Sequence, residues 1–318
     1  MSKNGVLPDE AIRQLAAQGA IQTPRSFDSD QIQPASLDLR LGAKAYRLRA
    51  SFLPGSGQRV EKRLTSDVLM HELDLSAGAV LETGCVYMVP LQEALKLPKD
   101  LHGAANPKSS TGRIDVFVRV VANDATAFDQ IPAGYEGALY AEISPRTFSI
   151  LAREGDRLCQ LRLRRGSHVA LKDITFSVDL SRRDGPVGYR ARRHAGILDL
   201  MRIGLHDPHD FWEPLIPRNG RIVLDPGEFY ILASKETVSV PLEMAAEMAP
   251  IAPELGEFRA HYAGFFDPGF GLNQGGSRAV LEVRSRDVPF ILEDGQPVGR
   301  LVYEAMASPP VKPYGEGS

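Results

Sequence analysis

The 318 residues predict an all-β protein, mainly strand with a few short helices, in which one unit occurs twice. Two observations carry this. Past residue 20 the chain breaks into short alternating runs (LDLRL, AKAYRL, GCVYMVP, IDVFVRVVA, GALYAEIS, RLCQLRLR), with most of its 23 prolines and 29 glycines between them. Such punctuation belongs to strands joined by tight corners. The runs then recur in the same order. DPGEFYILAS (225–234) answers ETGCVYMVPL (82–91), and ETVSVPLEMAAEM (236–248) answers EALKLPKDLHGAA (93–105). RAVLEVRS (278–285) answers GALYAEIS (137–144), and LEDGQPVGRLVYE (292–304) answers AREGDRLCQLRLR (152–164). Four ordered matches indicate duplication, with repeats near 25–180 and 210–310 and domains expected at 1–200 and 201–318.

In chain order, Pro8-Asp9-Glu10 opens a short helix through AIRQLAAQG, with Leu7, Ile12 and Leu15 on one face and Gly19 as its stop. The polar run Gln33-Pro34-Ala35-Ser36 leads into the LDLRL strand, expected to build scaffold and subunit packing and not chemistry. Residues 184–200 (DGPVGYRARRHAGILDL) read as a polar, basic connector. The cluster Arg190 to His194 within it is either solvated or in contact with a phosphate tail.

Composition narrows the function. With 37 basic and 40 acidic residues the net charge is −3, so no broad cationic footprint for nucleic acid is expected. No apolar run approaches a membrane span, and the N-terminus lacks the apolar core of a secretory signal. Cys85 and Cys159 stand far apart without a CxxC, which argues against a disulfide framework or cysteine-rich zinc site and for the reducing cytoplasm. His206-Asp207-Pro208-His209 is only a weak metal-like spacing.

Three stretches hold candidate chemistry. Lys108-Ser109-Ser110-Thr111-Gly112-Arg113 gathers two cations and three hydroxyls, groups that suit phosphate oxygens; the same run also reads as a solvated turn with a capping serine. Glu142 and Glu282 each lie within an apolar strand, YAEIS and VLEVR. A carboxylate turned into an apolar pocket gains proton affinity, as a proton shuttle requires; turned outward it is an ordinary strand residue. Asp267-Pro268-Gly269-Phe270 sets a carboxylate on a rigid turn beside a ring, where the first repeat has Pro132-Ala133-Gly134-Tyr135 with no acid before the proline. The phosphate-type run survives in one repeat and the acid turn in the other.

Taken together, IQPASLDLRLG (Ile32 to Gly42), KSSTGR (Lys108 to Arg113), and DPGFG (Asp267 to Gly271) followed by AVLE (Ala279 to Glu282) resemble the dCTP deaminases of the dUTPase-like superfamily. The resemblance is to a long form with two family-like repeats. Lys108 replaces the first arginine of the family's Arg-Ser-Ser-x-x-Arg phosphate motif. The resemblance implies a duplicated distorted jelly-roll (β-clip) and a trimer-based homo-oligomer with sites between copies. It implies dCTP as substrate, dUTP and ammonia as products, no catalytic zinc and no tightly bound cofactor, with Mg2+ arriving on the triphosphate. It gives phosphate contacts to Ser109, Ser110 and Arg113 beside Lys108, and the acid/base role to Glu282 or Glu142. Base and sugar contacts go to Ala263 and Asp267, with Ala122 as the counterpart in repeat one. MAPIAPEL (248–255) stands where repeat two needs its Ser-Ser-Arg motif, so one composite site per chain is expected, in cis or between chains. The rivals are a dUTP diphosphatase, or bifunctional enzyme, using Asp267 to activate water, and a non-catalytic nucleotide-binding regulatory protein.

Overall fold

The structure, a computed structural model, describes residues 4–167, 170–181, 184–249, 258–260 and 264–316. The helix opening the chain, α1 (Asp9–Ala17), buries Ile12 and Leu15 and ends before Gly19, whose φ of 76° suits a residue without a side chain. Asp9 does not face water at the helix start. It is buried, and its carboxylate accepts from the backbone N–H groups of Val311 (2.9 Å) and Lys312 (3.3 Å), tying the C-terminal segment to the first unit.

Strands dominate the rest. The first unit contains β1 (Ser36–Arg40), β2 (Ala79–Leu81), β3 (Val86–Lys96), β4 (Leu101–Pro107), the one-turn helix α2 (Ser109–Gly112), β5 (Val116–Ala122), β6 (Glu136–Pro145), β7 (Ile150–Ala152) and β8 (Arg157–Arg165). The second repeats most of the programme in β9 (Arg221–Leu224), β10 (Phe229–Val238), β11 (Met244–Ala249), β12 (Ser277–Ser285), β13 (Phe290–Glu293) and β14 (Pro297–Ala305). Duplication holds at the level of register. Glu142 of β6 stands opposite Met88 of β3, and Glu282 of β12 opposite Ile231 of β10, the matched positions of the two halves. Leu163 faces Gly103 as Tyr303 faces Ala246, and Ile150 faces Leu81 as Phe290 faces Leu224. Even a side-chain detail recurs: the Tyr87 hydroxyl accepts from the Glu82 N–H and the Tyr230 hydroxyl from the Asp225 N–H, each bridging the turn before its strand.

Each unit has its own hydrophobic core, the larger drawing Leu37 and Leu161 from one six-stranded sheet and Met88 and Val118 from another. Residues between them are shared. The expected connector contains a strand, Gly188–Ala191, which pairs with β10, and Ala170–Ser177 pairs with β14. Leu198–Asp199 then returns to pair with β7 of the first unit. Strand pairing therefore interleaves the two units from 170 to 199, upstream of the division expected at 200.

Alternation along β8 decides how the units meet. Leu161 and Leu163 point into the first core, which turns Arg162 and Arg164 to the opposite face, against the second unit. Arg162 is fully buried. It donates to the Ala246 carbonyl (3.0 Å), Glu304 (3.2 Å) and Asp267 (3.3 Å), and lies over the Phe265 ring at 4.0 Å. Arg164 makes two 2.7 Å bonds to Glu304 and one of 3.0 Å to Glu247. Such a network fixes the turn at 265–267 against the first unit, because removing one partner strands a buried charge at about 3–5 kcal/mol. Both cysteines are unpaired, and among the described residues no helix is long and apolar enough to cross a membrane.

Candidate active site

Along α2, Ser109, Ser110 and Arg113 point outward while Thr111 and Gly112 are buried. The outward three, with Lys108, line one wall of a cavity of about 500 Å3. The opposite wall comes from the second unit and includes Asp267 and Glu282. Of the residues expected to carry chemistry, these six therefore share one pocket, formed within a single chain. Thr111, the third hydroxyl of the run, is not part of it.

Glu282 is 3% exposed and its carboxylate sits directly over Gly112: a methyl group on that glycine would stand 2.7 Å from Oε2 and 2.9 Å from Oε1. Contact this close between β12 and α2 exists only because residue 112 has no side chain. A carboxylate is thus held against the element that presents the phosphate-type hydroxyls, on a wall shared with Ala279 and Val280.

Glu142 occupies the matching position of the first repeat and behaves differently. It does not line the pocket; it is buried in an ion pair with Arg119 (3.1 Å), whose guanidinium covers the Phe128 ring at 3.9 Å. Asp129, on a left-handed backbone nearby, has its pKa pushed up to about 7, chiefly by burial, with the Val120 N–H bond and Arg119 opposing and Glu142 adding to the rise. Ala122, expected as the counterpart in repeat one, lies in β5 opposite Leu139, within the first core and outside the pocket. Its place follows from β5 alternation, which turns it inward. Ala263 and most of MAPIAPEL lie outside the described residues.

The LDLRL strand departs from expectation. Gln33 and Asp38 line the pocket, and Asp38 forms a salt bridge with Lys108. Burial raises the Asp38 pKa against the pull of Lys108 and of Arg157, whose Nη1 is 3.7 Å away. Asp38 and Arg40, the polar positions of this alternating strand, are both buried, Arg40 against Glu93 at 2.8 Å. Asp267 also has a raised pKa, from partial burial, with Arg162 opposing. Sequence reasoning missed further lining residues, among them Gln160, Arg278 and Tyr314. Gln160 accepts from Ser36, and Arg278 pairs with Asp179 at 2.5 Å. Tyr314 is held by a 2.8 Å bond from its N–H to the Pro268 carbonyl, its ring 5.4 Å from Phe270. The Pro/Gly-rich tail carrying Tyr314 has no periodicity to announce such a role.

Of the histidine pair, the His206 ring packs edge-on to Phe211 and its Nε2 lies 3.1 Å from the Asp199 carbonyl. Among the described residues no group of three His, Cys, Asp or Glu is placed to hold a metal ion.

Comparison with known proteins agrees with this architecture over the whole chain. Residues 3–167 match the family model described as 2'-deoxycytidine 5'-triphosphate deaminase N-terminal domain, and residues 152–318 match that of the corresponding C-terminal domain. The crystal structure of 2'-deoxycytidine 5'-triphosphate deaminase from Agrobacterium tumefaciens superposes with a TM-score of 0.92 at 54% identity, covering 96% of this chain and 99% of that one. Among shorter relatives, a protein of Methanobrevibacter smithii named dCTP deaminase, dUMP-forming, is 26% identical over 157 residues, 49% of this chain and 78% of its own. One from Haloarcula marismortui named dCTP deaminase is 28% identical over 158 residues, with 49% and 78% covered.

Proposed function

The chain belongs to the 2'-deoxycytidine 5'-triphosphate deaminase family, and from that premise we propose that it deaminates dCTP in the composite pocket, with Glu282 as the proton shuttle and Ser109, Ser110 and Arg113 on the triphosphate. The observation that supports this reading is one cavity joining the hydroxyl-and-cation wall of the first unit to the buried carboxylate of the second. Water adds at C4 of cytosine and the exocyclic amine leaves as ammonia, giving the uracil nucleotide. Glu282 takes the water's proton as the C–O bond forms and returns one to N3 or to the departing amine. Asp267 and the 264–267 turn, anchored by Arg162 and by the 3.1 Å bond from the Gly264 N–H to Asn106, form a rigid wall against base and sugar. Mg2+ enters as the counterion of the substrate. We place the enzyme in the cytoplasm as a trimer-based homo-oligomer in which each chain carries its own site.

A second reading concerns the product. The sequence led to dUTP, whereas several relatives are named dUMP-forming. A pocket that also positions water at the α-phosphate, with the Asp267 carboxylate taking its proton, releases dUMP and pyrophosphate. Chromatography of the products separates the two: dUTP with ammonia alone, or dUMP with ammonia and pyrophosphate.

Arg113 tests the anion wall. Replacing it with Ala removes a charge-assisted fork from the triphosphate and is expected to raise KM for dCTP more than about tenfold, on a scale of roughly 1.5–3 kcal/mol for hydrogen bonds to charged groups. Unchanged KM in folded R113A returns the run to a solvated turn.

A further inference from the structure

Two residues beyond the phosphate-type run stands Asp115, on a left-handed backbone (φ 54°) and fully buried. Its N–H donates to the Gly112 carbonyl (2.9 Å), and its carbonyl accepts from Arg146 (2.9 Å). Its Oδ2 accepts from the Thr147 hydroxyl (2.5 Å) and forms an ion pair with Nη2 of Arg284, which also donates to Thr147 at 2.9 Å. Arg284 comes from the second unit. It follows Glu282 by two residues on β12, so both side chains leave the same face of the strand.

These contacts close a ring. Glu282 rests on Gly112, Gly112 is bonded to Asp115, Asp115 is paired with Arg284, and Arg284 returns along β12 to Glu282. We propose that the Arg284–Asp115 pair is a positioning device that sets the distance between the Glu282 carboxylate and the phosphate-holding turn. The pair lies between the units and ties the end of α2 to β12 by charge. The position matching Arg284 in the first repeat is Ser144, which supplies no cation, and the carboxylate there, Glu142, lies outside the pocket. The cation and the pocket-lining carboxylate thus stand together on β12 of the second repeat, and the matching strand of the first repeat has neither.

The inference rests on Glu282 as shuttle, so its test carries E282Q as a control. In R284Q the triphosphate wall stays intact while the carboxylate is free to drift. Displacements near 1 Å cost up to about 10²-fold in rate, so kcat for ammonia release is expected to fall at least about tenfold with KM for dCTP changing less than about threefold. D115N should give the same split, and D115N/R284Q should be no slower than the worse single variant, because both remove one device. R284K should recover part of kcat. If R284Q does not fold, T147V, which removes the hydroxyl shared by both partners, reads the same kcat loss in milder form. Wild-type kcat in folded R284Q or T147V, or losses that multiply in the double variant, overturns the device. E282Q at wild-type rate overturns the shuttle reading instead.

Discussion

E282Q is expected to fold, to bind dCTP, and to release ammonia at least about 10²-fold more slowly than the unaltered enzyme, the lower end of a general acid–base contribution. The amide fills nearly the volume of the carboxylate, so its place over Gly112 is kept, yet it cannot accept a proton from water. E142Q is the matched comparison. Its carboxylate sits at the same register of the duplicated ladder but is bonded to Arg119 outside the pocket, so E142Q is expected to retain most of the activity. Steady-state ammonia release from both variants reads the outcome. An inactive E142Q beside an active E282Q would mean that the shuttle had been assigned to the wrong repeat.

G112A is expected to separate catalysis from stability. Alanine is the better helix residue by about 1 kcal/mol, and what its methyl would meet is the end of a flexible side chain, Glu282, at 2.7 Å. The carboxylate moves and the backbone need not. Thermal unfolding should therefore change little, while kcat drops by up to about 10²-fold through displacement of the acid/base group. KM should hold, because Ser109, Ser110 and Arg113 face the other way along the turn. A wild-type kcat in G112A would show that the close approach has no part in catalysis.

Much of the fold was legible because duplication writes the same alternation twice. YAEIS and VLEVR, or CVYMVP and EFYILA, need no structure to be paired, and their registers agree. Site residues were legible where chemistry is dense in sequence, as in KSSTGR, or where a carboxylate interrupts an apolar run. Less legible was anything depending on what lies across from a strand. Asp38 and Arg162 sit at polar positions of alternating runs, which single-sequence reasoning assigns to solvent; the second unit covers the face of β8, and Lys108 covers Asp38. Ala122, expected as the counterpart in repeat one, is the last residue of β5 and points into the core. Tyr314 reaches the pocket because Asp9, at the far end of the chain, holds the tail that carries it, a partnership separated by 302 residues.

One complete site per chain is proposed, its phosphate wall from the first repeat and its carboxylate from the second. Mixing decides this most directly. R113A and E282Q chains are co-expressed and purified as mixed oligomers, and ammonia release is measured at dCTP well below KM. With the site closed within each chain, every chain carries one defect, and the mixture shows no more activity than the two variants measured apart. If Arg113 and Glu282 of one pocket come from different chains, some pockets in the mixture are intact, and activity well above that sum contradicts the cis site.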